Sequence, residues 1–224
     1  MRVGAGVLMV DAVLLGSLLP LHRRHGLSRD DLGLRAVPAA RSIGLIALAL
    51  VVYVVVTALW LMVVQPSAGT DVLANVRHES TGNVVLVIIA GAVSAPIVEE
   101  VFFRGLLYRS LRNRLSILPA ALVAGALFGF VHITSYPLDV LPVKAAFGVI
   151  ACLLYERTGS LLPGIGLHSL VNASGIDLAL TGNDLIVFAG FSLLVLVLLA
   201  RGCARRLLRG KRTPRLAELP QAGR

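Results

Sequence analysis

The sequence predicts an all-α membrane protein, a bundle of about seven transmembrane helices, and three observations predict it. Hydrophobic residues make up 57% of the 224-residue chain and charged residues only 15%, with a mean hydropathy of +0.86. A soluble domain is about 45–50% apolar and about 25% charged, so there is too little polar surface here to cover a soluble particle. The apolar residues gather into runs near the ~20 residues that cross about 30 Å of hydrocarbon. The basic residues fall between those runs and in the C-terminal tail. The same composition excludes intrinsic disorder, and two cysteines exclude a disulfide-rich scaffold. A net charge of +9 raises nucleic acid as a partner. Its placement beside apolar runs, with few aromatics interleaved, argues for a membrane lipid surface and no nucleic acid.

The expected spans are 3–20, 43–64, 83–112, 116–134, 139–156, 160–181 and 184–201. The first reads as a span rather than a cleaved signal peptide, because Asp11 lies in its middle and the basic cluster His22–His25 follows it. Ser116, Asp139 and Ser160 are candidate N-caps, each followed three residues later by Pro119, Pro142 and Pro163. Proline is tolerated in a first helical turn and breaks an interior one. Pro96 is such an interior proline: it should interrupt the third span and free the carbonyl near Ala92. Frequent glycine fits helices that pack closely. Trp60, Tyr108, Tyr136 and Tyr155 near span ends fit an aromatic belt.

With seven spans, every basic segment lies on one side of the membrane. These are the loop 22–41, the turn 104–114, Arg157 and the tail from Arg201, which together hold all but Arg2, Arg77 and Lys144 of the 21 lysines and arginines. The positive-inside rule then places the N-terminus outside and the tail in the cytoplasm. The expected location is a plasma membrane, crossed several times. The tail can bind anionic headgroups or simply fix this topology.

Ionisable groups at membrane depth usually face a bundle interior or a wet cavity. The third span carries Glu99, Glu100 and Arg104. The fourth carries Phe128 and His132, and the sixth carries His168 and Asn172. Glu100 and Arg104 stand four apart on one helix face and can pair at the membrane boundary. Glu99 is turned about 100° away and lacks that partner. His168 and Asn172 share a face and can address one substrate atom, and Phe128 can wall the same side as His132. The third and fourth spans form a hairpin about Leu115, and Glu99 and His132 lie nearly equidistant from it, so they should come level. Plainer readings exist: a solvated helix end for the Glu–Glu–Arg run, a structural histidine for His132, interhelical polar contacts for His168 and Asn172. Lys144 can snorkel or line a cavity, and Cys152 reads as packing.

Glu-Glu-x-x-x-Arg at 99–104, Phe-x-x-x-His at 128–132 and His-x-x-x-Asn at 168–172 occur in that order on successive apolar helices. This pattern resembles the intramembrane protease family of type II CAAX prenyl endopeptidases and bacteriocin-processing or immunity proteins. Asp31-Leu32-Gly33-Leu34-Arg35 also looks like a pre-helix segment of bacterial members. The resemblance divides the chain into N-terminal spans with a basic cytoplasmic loop (1–82), a catalytic helical core (83–201) and a basic tail (202–224). It implies hydrolysis of a peptide bond in a membrane-associated or lipidated protein or peptide. Glu99 would activate water, His132 would help hold it, and His168 with Asn172 would stabilise the oxyanion. Glu100, Arg104 and Phe128 would be structural or position the substrate. Donors aimed at a developing oxyanion act strongly where water is excluded.

Two alternatives stay open on metal. Glu99, His132 and His168 are a candidate His2Glu set for a divalent cation such as zinc. The His-Glu-x-x-His helix of zinc proteases is absent, which favours a glutamate-activated water without a tightly held metal. Competing functions are a non-enzymatic immunity or partner-binding protein on the same scaffold and, less favoured, a small transporter.

Overall fold

The structure is a computed structural model. It describes residues 33–65 and 76–182, together with Leu73 and the isolated positions Ala12, Val13 and Gly16. The expected spans 3–20 and 184–201 and the basic tail lie outside the described residues. The described part is all-helical: no strand occurs among the described residues.

Five helices make up this part. Helix α1 is Ala39–Val63. A single 3-10 turn, Val76–His78, precedes α2, the continuous helix Thr81–Arg112. Helices α3, α4 and α5 are Ile117–Phe130, Leu141–Thr158 and Leu162–Thr181. Pro142 and Pro163 stand in the first turns of α4 and α5, where their missing N–H groups have no intrahelical role. The helix starts fall one or two residues after the expected caps. Ser116 is the residue before α3 but makes no side-chain cap bond. Ser160 accepts a bond from the Leu162 N–H at 3.2 Å and donates to the Arg35 carbonyl at 2.6 Å.

Two helices, α1 and α2, are long and apolar enough to cross a membrane. Leu48, Val51, Val55, Leu59 and Met62 of α1 are all exposed. A contiguous apolar surface of that kind suits hydrocarbon rather than water. Helix α3 corrects an expectation. It ends at Phe130, after 14 residues, roughly 21 Å at 1.5 Å per residue, and residues 131–136 form turns. His132 is therefore in a turn beyond the helix and not within a span.

Pro96 does not interrupt α2. The helix widens into a π-helical turn over Ile89–Ser94, and the Ala95 N–H reaches back five residues to the Ala90 carbonyl. In that register the Pro96 position would bond Gly91, and proline has no N–H to give. The freed carbonyl is thus that of Gly91, one residue before the expected place. A second π-helical stretch spans Val101–Tyr108. Wide turns of this kind often mark functional positions within helices.

The closest helix pair is α3 with α4. A Cβ on Gly125 would come within 2.8 Å of the Ala145 carbonyl, and one on Gly148 within 2.7 Å of Gly125 Cα. Only glycine allows backbones to approach this closely. Phe103, Phe128, Phe147, Leu154 and Leu167 form the core between α2, α3, α4 and α5, with Ala49 of α1 closing it. The pre-helix segment ties the α4–α5 turn. The Leu161 N–H bonds the Gly33 carbonyl at 2.8 Å, and Arg41 Nη2 bonds the Arg157 carbonyl at 2.9 Å. At the far end of α1, Trp60 Nε1 donates to the Asp139 carbonyl at 2.8 Å.

Candidate active site

The two adjacent glutamates of α2 point in different directions, as their 100° offset demands. Glu100 turns into the core. Its Oε1 accepts from Arg104 Nη1 at 2.7 Å and lies 3.1 Å from His168 Nδ1. Arg104 Nη2 donates to the Gly148 carbonyl at 3.1 Å, and its guanidinium carbon stands 4.6 Å from the Phe128 ring centroid. Arg104 and Glu100 are 0% and 1% exposed, so this pair sits in the core and not at the membrane boundary where the spacing alone placed it. Such burial needs every partner present: removing one member of a buried pair typically costs about 3–5 kcal/mol. Gly164 of α5 makes room for the carboxylate, since a Cβ there would meet Glu100 Oε2 at 2.9 Å.

Glu99 faces the other way. Its Oε2 lies 3.7 Å from His168 Nε2, with the side chain 18% exposed. That separation exceeds a hydrogen bond, and no described residue hydrogen-bonds this buried oxygen. His168 thus lies between the glutamates. Nδ1 faces the carboxylate tied to arginine, and Nε2 faces the one that is not. Because Glu100 is paired with Arg104 as a carboxylate, it accepts, and the proton of His168 is assigned to Nδ1.

His132 joins the site by a different route from the one expected. Phe103 and Phe128 are nearly equidistant from Leu115 and their rings meet at 5.1 Å, so the hairpin is level at that height. One turn further along, α3 ends. His132 Nδ1 lies 2.7 Å from the Phe128 carbonyl, which can only accept, so Nδ1 donates and Nε2 is left as an acceptor. The His132 ring lies 4.8 Å from Phe128 and 5.9 Å from Tyr136. Phe128 also contacts His168 at 5.6 Å. Both imidazoles therefore lie on Phe128, but no hydrogen bond or ion pair joins His132 to Glu99 among the described residues. As placed, Glu99, His132 and His168 do not fit a metal: no group of three or more His, Cys, Asp or Glu among the described residues is arranged to hold one.

Asn172 shares the α5 face with His168, and its Nδ2 donates to the Gly91 carbonyl at 2.8 Å. That is the acceptor freed by Pro96, so Asn172 closes the wide turn of α2 against α5. Phe147 is a neighbour that the sequence reading missed. It packs on His168 at 4.8 Å and on Tyr53 of α1 at 5.4 Å. One of seven phenylalanines in an apolar helix, it carries no motif to single it out. Cys152 is buried in the core, as expected of packing.

Residues 81–174 match the family model described as type II CAAX prenyl endopeptidase Rce1-like. That stretch holds all three motifs. The chain is also 32% identical over 89 residues to "Putative membrane peptidase YdiL" of Bacillus subtilis, a match covering 40% of this chain and 35% of that protein. The chain thus spans about a third of the length of that relative. No solved structure matches. The motif order, the α2–α3 hairpin and the family match agree: over residues 81–174 the chain is similar to the Rce1-like family of type II CAAX prenyl endopeptidases.

Proposed function

We propose that the protein is an intramembrane endopeptidase that hydrolyses a peptide bond in a membrane-associated or lipidated substrate. The observation that carries this reading is the contrast between the two glutamates. Glu100 is held by Arg104 and His168 through Oε1, whereas Glu99 keeps a buried oxygen that no described residue bonds.

Glu99 takes the proton of the attacking water, and the oxygen bonds to the substrate carbonyl carbon. His132 Nε2, an acceptor, holds the water's other hydrogen. His168 in its protonated form presents Nε2–H to the oxyanion, with Nδ1–H steadied by Glu100. Asn172, with one amide hydrogen on Gly91, offers the other. Collapse of the tetrahedral species breaks the C–N bond, and Glu99 returns its proton to the leaving amine. Arg104 and Phe128 act by positioning: Arg104 fixes Glu100, and Phe128 spaces the two imidazoles. A divalent cation such as zinc remains outside this scheme, which routes no step through one.

The seven-span topology with a cytoplasmic tail belongs to the same proposal. It is supported by the clustering of basic residues on one side and by the two long apolar helices. The test is cleavage of a membrane-peptide library by purified protein, with and without chelator, beside Glu99→Gln and His132→Ala. Cleavage by the natural protein that is lost in Glu99→Gln supports the reading. Undiminished cleavage by Glu99→Gln overturns it.

A further inference from the structure

Two cations each lie over an aromatic ring, and His132 lies between the two rings. On one side is Phe128, 4.8 Å from the imidazole, with the Arg104 guanidinium 4.6 Å from its centroid. On the other is Tyr136, 5.9 Å from the imidazole, with the Lys144 ammonium 4.0 Å from its centroid. Lys144 also donates a hydrogen bond to Tyr136, and its charge faces Glu99. Arg104 and Phe128 already have their place in the core. The Lys144–Tyr136 pair has no part in the chemistry above.

The need for such a pair follows from where His132 stands. It lies past the end of α3, where the regular helix no longer holds its neighbours. The His132 and Ile133 N–H groups reach the Gly129 and Phe130 carbonyls at 3.1 Å, and those of Ser135 and Tyr136 reach the His132 carbonyl at 2.9 and 3.0 Å. These bonds tie the turn to itself and to α3, not to α2 or α4. On its outer side Phe130, Val131, Ile133 and Leu138 are exposed, so no protein packing steadies it there. Tyr136 meets Lys144, which stands in the first turn of α4 with its own N–H on the Val140 carbonyl at 3.2 Å. Lys144 thus joins the turn to a helix, and the same ammonium faces the free glutamate of α2. A cation–ring contact strengthens away from bulk water, and a reactive side chain keeps its orientation when the groups behind it are locked.

We propose that Lys144 and Tyr136 are a positioning pair for the peptidase reaction: Lys144 clamps the Tyr136 ring against His132 and so holds the imidazole, with its accepting Nε2, in register with Glu99. This rests on the peptidase reading and adds two residues to it. Both act through His132.

Two measurements test the pair. The first is kinetic, on a peptide that the purified natural protein cuts. Displacing a reacting group by about 1 Å can cost about 10²-fold in rate, so Lys144→Met and Tyr136→Leu should each lower kcat by about ten-fold or more. KM should stay within about two-fold. The double variant should lose no more than the worse single one. Lys144→Arg should keep most of kcat, because a guanidinium also stacks on a ring. The second measurement needs no turnover. Spin labels are placed on Ile97→Cys of α2 and Ile133→Cys of the turn, both exposed positions. The full-length protein carries Cys203→Ser, Cys152 being buried, and the label distance is read by pulsed EPR in lipid nanodiscs. The distance should be narrow in that background and in Lys144→Arg, and broad or shifted in Lys144→Met and in Tyr136→Leu. Both variants break the same contact, so either one decides the distance measurement. Additive kinetic losses would mean that Lys144 acts on Glu99 without Tyr136, and would overturn the proposal. A loss confined to KM, or an unchanged label distance, overturns it as well. Failure of the peptidase reading looks different: the natural protein cuts no peptide while the label distance still broadens.

Discussion

Glu99 and Glu100 are neighbours in the chain, yet they live in opposite circumstances. Glu100 is 1% exposed, bonded to an arginine and a histidine, and backed by a glycine that leaves it room. Glu99 is partly open and lies 3.7 Å from the far nitrogen of that histidine, beyond hydrogen-bond length. The difference teaches that one helical turn can build both a structural element and a reactive one. The structural half is held by an arginine and a histidine on one carboxylate oxygen, which makes it costly to disturb. The other half keeps a buried carboxylate oxygen that no described residue hydrogen-bonds.

The largest break in this comparison should come from Arg104→Ala. It strands Glu100 in the core, and we expect a loss of about 3–5 kcal/mol, read as a lower melting temperature or as failure to accumulate in the membrane. Arg104→Lys should not restore it fully, because lysine cannot reproduce the forked contacts to Glu100 and Gly148.

Next comes Gly125→Ala, which pushes a methyl against Val149 and the Ala145 carbonyl. Overpacking of this kind costs about 1–3 kcal/mol and should loosen α3 from α4, carrying Phe128 away from Arg104. The measurement is thermal stability in detergent, and an unchanged melting temperature would show that the pair has room to separate.

A smaller effect should follow Asn172→Leu, which leaves the Gly91 carbonyl unpaired at about 1–3 kcal/mol. Here a double-mutant cycle sharpens the point. Pro96→Ala supplies the missing N–H, so it should offset part of the loss when combined with Asn172→Leu. Purely additive stabilities would break the link drawn between the proline and the asparagine.

The smallest expected change in stability belongs to Glu99→Gln, within about 0.5 kcal/mol of the natural protein. The same variant should lose about 10²–10⁴-fold in peptide cleavage. A destabilisation as large as that of Arg104→Ala would make the two glutamates alike after all.

Much of this was legible in the sequence, and the reasons can be read from particular residues. The Glu100–Arg104 pair follows from four-residue spacing, and the starts of α4 and α5 from Pro142 and Pro163. The hairpin of α2 and α3 follows from the two apolar runs on either side of Leu115. All are local regularities of an α-helix. Where the helix departs from 3.6 residues per turn, the counting fails. The π-helical turn before Pro96 moved the freed carbonyl from the neighbourhood of Ala92 to Gly91. The end of α3 at Phe130 took His132 off the helix before it could face Glu99. Long-range partners such as Phe147 for His168 and Gly164 for Glu100 depend on how helices cross, and no spacing within one helix encodes that.

The brevity of α3 has a consequence for the lipid around it. At roughly 21 Å it falls short of the ~30 Å of hydrocarbon that a spanning helix must match. In the proposed topology, in which α3 crosses the membrane, the bilayer next to it would dimple or neighbouring protein would shield the deficit. A dimple would bring the headgroup layer down toward His132 and shorten the distance a polar backbone must travel through oil to reach the histidines.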